Sequence, residues 1–187
     1  MQKLTVSERT TALVFGESRD RGAVFLPGLE IGCEWTPMRL ASLHLQALGW
    51  TTMLLRWQPE RQPEWVEEQA SAALELLGTG RALLVGKSLG TFAAPLAVAR
   101  RLPAIWFTPL LNEQRIVEAL ERSQAPTLLV GGTHDEAYDA QLAERLPVES
   151  LTVVGADHSL EFADAYETLE LQRRILDRVD AFVRGLG

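Results

Sequence analysis

The stretch LLVGKSLG, residues 83–90, places a serine between two glycines directly after an apolar run. The hydroxyl of Ser88 becomes a nucleophile only when a base accepts its proton. Gly86 and Gly90 each cost backbone entropy, which is explained if the turn around Ser88 is too tight for neighbouring side chains. The apolar run predicts a buried strand and residues 89–101 predict a helix. We therefore expect Ser88 on a strand-to-helix turn as a nucleophile; the alternative is that it only caps the helix.

Three histidines are candidates for the base that such a serine needs. His158, in VVGADHSLEF, follows a predicted strand and precedes the last helix, so it is expected to face the same end of the sheet as Ser88. His44 lies inside a helix ahead of the serine and is interpreted as a helix-surface or core residue. His134 lies in a loop. We expect His158 to be the base; the alternative is a histidine at a helix start with no role.

A carboxylate must hold the tautomer of that base and stabilise the imidazolium. Asp135, in LLVGGTHDEAYD, comes a few residues after a strand end and is the predicted acid. Glu136 and Asp139 are alternative candidates for the acid and are interpreted as solvated charges at a helix start. Asp157 is adjacent to His158 in the chain and is expected to point away from it. The chain order serine, aspartate, histidine matches one known arrangement and excludes the two found in the main serine protease folds.

Acyl transfer also needs N–H donors for the oxyanion that develops on the carbonyl oxygen. The backbone N–H of Leu89, directly after the serine, is the predicted first donor. The second is expected from the loop after AVFLPG, with Leu29 as the best candidate and Glu30 as the next. Gly28 lets the chain bend there.

Strand-like and helix-like segments alternate along the chain, which predicts the scaffold for these groups. The predicted strands are TALVFG, GAVFLPG, TTMLLRW, RALLVG, PAIWFT, PTLLVGG and SLTVVG, the first two joined by ESRDR as an antiparallel pair at one edge. RWQPERQPEW is predicted to be a surface loop. A mostly parallel sheet with helices on both faces, a doubly wound α/β fold, is expected to bind ligands beyond its carboxyl-terminal strand ends.

The predicted helices have recognisable ends. In TPMRLASLHLQALGW, Thr36 is the predicted N-cap, Pro37 the first helical residue and Gly49 the stop. PEWVEEQASAALELLG is the next helix, and Pro95 should kink or delay the helix after Ser88. Short helices are predicted near residues 113–122 and 138–145. The last helix shows apolar residues at near-helical spacing: Phe162, Ala165, Leu169, Ile175, Val179 and Phe182.

Composition narrows the class of protein. The 187 residues suit one domain, 1–187, and 47% of them are hydrophobic, enough to bury a core. A net charge of −7 with scattered basic residues argues against nucleic acid or a membrane as a partner. The beginning of the chain shows no signal-peptide pattern, and Cys33 is the single cysteine, which favours the cytoplasm. We expect no metal and no cofactor, and the oligomeric state is open.

The motif Gly86-Lys87-Ser88-Leu89-Gly90, together with Asp135, His158 and the turn Pro27-Gly28, resembles the α/β-hydrolase superfamily over nearly the whole chain. GGTHD followed by GADHS is most similar to its small dienelactone-hydrolase-like members. The resemblance implies that Ser88 is the nucleophile, His158 the base and Asp135 the acid. Dienelactone hydrolases use a cysteine nucleophile, so the serine argues against that activity. Pro27 stands where many members have a histidine, and the short segment between PAIWFT and PTLLVGG implies a form without a lid.

The expected substrate is a small uncharged carboxylic ester, hydrolysed through an acyl-serine intermediate. Trp35, Trp57 and Thr108, the last within IWFTPLL, are predicted to contact it, although packing in the core is the alternative for the aromatic residues. Glu30 and Glu34 disfavour anionic substrates. Arg56 is interpreted as a surface ion-pair partner rather than a substrate carboxylate ligand. A thioesterase or an amidase with the same residues, or a non-catalytic binding protein with the same fold, are the alternatives.

Overall fold

A computed structural model describes residues 1–58 and 63–187. The middle of the predicted proline-rich loop, residues 59–62, lies outside the described residues. Within the described ranges, eight strands form one sheet: β1 (Gln2–Ser7), β2 (Thr10–Phe15), β3 (Arg21–Leu26), β4 (Thr51–Trp57), β5 (Arg81–Lys87), β6 (Ala104–Phe107), β7 (Thr127–Gly132) and β8 (Glu149–Val153).

The strand order is β1-β2-β4-β3-β5-β6-β7-β8. Strands β3 to β8 run parallel to one another, and β1 and β2 join antiparallel beside β4. The predicted doubly wound, mostly parallel sheet is therefore confirmed. The predicted pairing of β2 with β3 is wrong, because β4, whose first five residues are buried, lies between them. The sequence analysis also missed β1, whose alternating Leu4 and Val6 pack on the core.

Six helices cover the two faces of the described sheet: α1 (Thr36–Ala47), α2 (Pro63–Leu77), α3 (Ala94–Arg100), α4 (Gln114–Glu121), α5 (Ala140–Arg145) and α6 (Ala165–Arg184). One face packs against α2, α3, α4 and α5, and the other against α1 and α6. Successive strand residues alternate between these cores, as Val24 and Phe25 do in β3. Such two-sided burial explains why the strands are apolar throughout.

The predicted delay of the helix after Ser88 is confirmed, whereas α1 and α6 differ from the prediction. Pro95 does delay its helix: residues Ser88–Ala93 form a 3₁₀ turn and α3 begins only at Ala94. Thr36 is already helical, and the N-cap is Trp35, without a side-chain capping bond. Phe162 precedes α6, which begins at Ala165, and both Ala165 and Leu169 are exposed. The buried residues of α6 are Leu171, Gln172, Ile175, Val179, Phe182 and Val183.

In the described residues, no helix combines the length and apolar character needed to cross a membrane. The predicted nucleophile, acid, base and oxyanion donors lie beyond the carboxyl ends of β3, β5, β7 and β8. Because these strands are parallel, their carboxyl ends meet at one edge of the sheet, where a crevice can form.

Candidate active site

Ser88 sits at a strained turn between β5 and the following 3₁₀ turn. Its backbone has φ +48°, in the left-handed region that non-glycine residues rarely adopt. The two flanking glycines permit this turn: a Cβ on Gly90 would lie 2.4 Å from the carbonyl oxygen of Leu26, and one on Gly86 2.7 Å from the ring of Trp106. The spacing of the motif thus has the predicted steric cause, a nucleophile-elbow geometry rather than a simple helix cap.

The carboxylate of Asp135 and the imidazole of His158 form a hydrogen-bonded pair. Oδ2 of Asp135 lies 2.8 Å from Nδ1 of His158, and Oδ1 accepts a hydrogen bond from the backbone N–H of Ala137 at 2.9 Å. The Asp135 side chain is only 2% exposed, whereas that of His158 is 40% exposed. A buried carboxylate on Nδ1 directs the other ring nitrogen, Nε2, away from Asp135, the orientation required of a general base.

The competing residues have other partners. Oδ1 of Asp139 caps α5 by accepting from the N–H of Leu142 at 2.9 Å. Asp157 points into its own loop, where it accepts from the N–H of Ser159 at 2.8 Å. Nε2 of His44 lies 2.6 Å from Oδ1 of Asp180, so this histidine joins α1 to α6 rather than facing the crevice.

Ser88 and His158 line one cavity of about 280 Å³. Its remaining lining residues come from the loop after β3 and the end of β5: Gly28, Leu29, Glu30, Ile31 and Lys87. Leu29, the predicted second oxyanion donor, and its alternative Glu30 are therefore beside the serine. Leu89 is the second residue of the 3₁₀ turn, where the first N–H groups have no intrahelical acceptor.

The loop after β3 also borders a second cavity of about 210 Å³ that includes Trp57. Nε1 of Trp57 donates a hydrogen bond to the carbonyl oxygen of Gly28 at 3.2 Å, so this tryptophan supports the loop and also contacts the cavity. Arg56 forms an ion pair with Glu34 on the exposed surface, as expected.

Two predicted substrate contacts lie below the site instead. Trp35 is 9% exposed, and its ring packs edge-on against Phe107 with a centroid distance of 5.8 Å. Thr108 is completely buried, and its backbone has φ +42° at the end of β6. Neither residue is among those that line the two cavities beside the loop after β3. Both are close to a residue that the sequence analysis passed over, Lys87.

Lys87, directly before the serine, has its side chain in the interior with an exposure of 1%. Its Nζ donates to Oγ1 of Thr108 and to the backbone carbonyl oxygen of His158, both at 3.3 Å. The same nitrogen lies 4.9 Å from the ring centroid of Trp35. Burial lowers the pKa of Lys87 to about 8, while the carboxylates of Asp135 and Asp157 act in the opposite direction.

A signal for Lys87 was present in the sequence. Side chains alternate along a strand, so residue 87 of β5 falls on the same face as Leu83 and Val85, both fully buried. Strained backbone conformations are also concentrated around the candidate site. Of the four non-glycine residues with positive φ in the described ranges, Ser88, Thr108 and Leu160 surround the site, and such outliers cluster at functional sites.

No group of three or more metal-ligating side chains occurs among residues 1–58 and 63–187. Ser88, at a tight turn, lines the same cavity as His158, which has the buried carboxylate of Asp135 behind it, and groups of these types can carry out nucleophilic acyl transfer.

Comparison with known proteins gives structural matches only. No protein-family profile matches the sequence, and no curated protein matches it. A serine hydrolase without a lid from Xanthomonas campestris superposes with a TM-score of 0.73 at 16% identity, covering 95% of this chain and 89% of that one. An α/β serine hydrolase homologue from Coxiella burnetii superposes with a TM-score of 0.72 at 17% identity, covering 90% of this chain and 91% of that one. A monoacylglycerol lipase from Paleococcus ferrophilus gives 0.73 at 17% identity, covering 97% and 100%.

Proposed function

We propose that this chain, which has the α/β-hydrolase fold, is a serine hydrolase that cleaves small uncharged carboxylic esters through an acyl-serine intermediate. The observation that carries the proposal is the 2.8 Å contact between Asp135 and His158, with His158 and Ser88 on one cavity wall. Neighbouring structures with this fold include serine hydrolases and a lipase, which supports hydrolase chemistry.

In the proposed reaction, Oγ of Ser88 attacks the ester carbonyl carbon while Nε2 of His158 accepts its proton. Asp135 stabilises the imidazolium, and the N–H groups of Leu89 and Leu29 bind the oxyanion. The tetrahedral intermediate then breaks its bond to the alcohol oxygen, which takes the proton from His158. Water attacks the acyl-serine in the second half, His158 again accepts and returns a proton, and the carboxylic acid leaves.

The substrate class follows from the size and charge of the cavity. A volume of about 280 Å³ lies just below the range for small-molecule sites, roughly 300–1,000 Å³, which favours a short acyl group. Glu30 and Lys87 line this cavity with opposite charges, and the protein carries a net charge of −7, so an uncharged acyl group is favoured over an anionic one. The small-molecule substrate, the cytoplasmic location and the lack of a nucleic-acid or membrane partner stay predictions.

The test is hydrolysis of short-chain nitrophenyl esters by the wild-type protein and by Ser88→Ala. We expect the substitution to reduce kcat by roughly 10⁶-fold, because it removes the nucleophile. Ser71→Ala, in α2, is the matched control and should retain wild-type activity. Wild-type turnover no faster than that of Ser88→Ala would contradict the proposal.

A fluorophosphonate probe separates an enzyme from a non-catalytic protein of the same fold. We expect it to label Ser88 covalently, because only an activated serine displaces the fluoride. Esters, thioesters and amides with the same acyl group then distinguish an esterase from a thioesterase or an amidase. Failure of the probe to label the wild-type protein would favour the non-catalytic alternative.

A further inference from the structure

Lys87 is an unusual choice of residue for its position. The chain contains two lysines, Lys3 and Lys87, against sixteen arginines. Lys3 is exposed in β1, whereas Lys87 is 1% exposed beneath the proposed active site. Burial of an ammonium group is costly unless its charge is compensated, so its presence there needs a physical reason.

The ammonium group of Lys87 has two hydrogen-bond acceptors and one aromatic ring beside it. It reaches Oγ1 of Thr108 and the carbonyl oxygen of His158, each at 3.3 Å, and the ring of Trp35 lies 4.9 Å away. Two of its three donors are thus engaged by the protein itself. The hydrogen bond to the carbonyl oxygen connects Lys87 directly to the segment that carries His158.

The surroundings of His158 are otherwise rich in carboxylates. Ionisable groups reach it from three other elements and from its own loop: Glu30 after β3, Lys87 at the end of β5, His134, Asp135 and Glu136 after β7, and Asp157 in the loop after β8. Among the described side chains lining the two cavities that His158 borders, Lys87 is the only ammonium or guanidinium group. Carboxylates favour an imidazolium, and a nearby cation disfavours it.

Building on the proposed function, we propose that Lys87 is a positioning residue for the base: it fixes the loop of His158 through the backbone carbonyl, and its positive charge keeps the imidazole unprotonated among the surrounding carboxylates. An imidazole that is already protonated cannot accept the proton of Ser88. Lys87 thus allows His158 to act as a base near neutral pH. With its own pKa at about 8, the lysine still carries its charge in that range.

The imidazole pKa of His158, measured by NMR in the full-length protein, tests this directly. In Lys87→Met we expect that pKa to rise, because the carboxylates then act unopposed. Lys87→Arg keeps the positive charge and should stay near the wild-type value, and Lys3→Met is the remote control. His158→Gln identifies the resonance among the three histidines. Lys87→Gln, which keeps a donor for the carbonyl oxygen, is the second uncharged variant in case the methionine variant does not fold.

The direction in which the pKa of His158 changes distinguishes an electrostatic role of Lys87 from a purely structural one. An unchanged pKa of His158 in both uncharged variants would overturn the electrostatic part of the proposal. A fall in that pKa would show that the imidazole had lost its contact with Asp135, which is the result of a purely structural role and also overturns it.

Ester hydrolysis gives a second readout. The acid limb of kcat/KM should move to higher pH in Lys87→Met, with little change in KM and no such shift in Lys87→Arg. If Lys87→Met hydrolyses the ester and the acid limb of its kcat/KM profile stays at the wild-type pH, this inference is overturned and the proposed function is not affected. If the imidazole pKa rises in Lys87→Met but the wild-type protein hydrolyses no ester, the proposed function is overturned and the coupling between Lys87 and His158 is supported.

Discussion

Oδ2 of Asp135 lies 2.8 Å from Nδ1 of His158, although 23 positions separate the two residues in the chain. The contact exists because β7 and β8 are neighbouring parallel strands, whose following loops are brought together at one edge. A carboxylate that is 2% exposed, with a backbone N–H on its other oxygen, holds the imidazole in a fixed orientation.

Replacing Asp135 by Asn should reduce kcat for ester hydrolysis by about 10⁴-fold, because the amide favours the wrong histidine tautomer. The pair of kcat values for wild type and Asp135→Asn checks this. Asp139→Asn is the matched control: its carboxylate caps α5, so stability falls slightly while kcat stays near wild type. A small effect of Asp135→Asn on kcat would remove this residue from the proposed triad.

Gly90→Ala should destabilise the protein by about 1–3 kcal/mol or more, because the new Cβ meets backbone rather than a flexible side chain. The carbonyl oxygen of Leu26 would be 2.4 Å from that atom. The free energy of unfolding in urea measures the effect. Gly80→Ala is the control, since its Cβ would have its nearest neighbour at 3.4 Å. Equal unfolding free energies for the two variants would contradict the steric explanation of the motif.

The stability of the protein relative to Lys87→Met should depend on pH. Folding lowers the pKa of Lys87 from its ordinary value of 10.5 to about 8, so the unfolded chain binds the proton more tightly. Wild-type stability relative to the variant therefore rises from pH 8 to pH 10.5, and a shift of this size corresponds to about 3 kcal/mol. Unfolding free energies across this pH range measure it, and a pH-independent difference would contradict it.

Lysine labelled with ¹⁵N offers a direct check of the same quantity. The two lysines should give two well separated titrations, with Lys87 losing its proton near pH 8 and Lys87→Met retaining only the signal of Lys3. A Lys87 signal that titrates together with that of Lys3 would show that burial does not act on the ammonium group.

The contact between His44 and Asp180 should contribute to stability above acidic pH. Hydrogen bonds from Arg184 and then His44 lower the pKa of Asp180 below its usual 3.8. Such a carboxylate stabilises the fold above the unfolded pKa, and the contribution disappears as pH falls through the folded pKa. Asp180→Asn should thus lower Tm at pH 6 and make no difference at strongly acidic pH. A deficit in Tm that persists under acid would point to a different cause.

Much of the scaffold could be predicted from local pattern. The apolar runs identified seven of the eight described strands, and Pro95 correctly predicted a delayed helix. The local pattern could not show that β2 and β3 are unpaired, because β4, which comes later in the chain, lies between them in the sheet. β1 is mostly polar, and only its alternation of Leu4 and Val6 marked it as a strand.

The candidate site divides along similar lines. Ser88, Asp135 and His158 were found because their residue types and their places after strand ends both indicated chemistry. Trp35 and Thr108 were misplaced because a residue near a strand end can face the cavity or the core beneath it, and only the packing distinguishes these. Lys87 was missed because a charged residue is normally expected at the surface, although its register with Val85 placed it inside.

The loop that carries His158 is attached to the rest of the protein from two sides. Lys87 of β5 binds the carbonyl oxygen of His158, and Nε2 of Gln172 in α6 donates to that of Leu160 at 3.0 Å. Because the loop of His158 is hydrogen-bonded to both β5 and α6, we expect it to keep its position when no substrate is bound. A short ester makes few contacts with the protein and therefore supplies little binding energy to order an active-site loop. If His158 is already held in position, no binding energy is needed for that step.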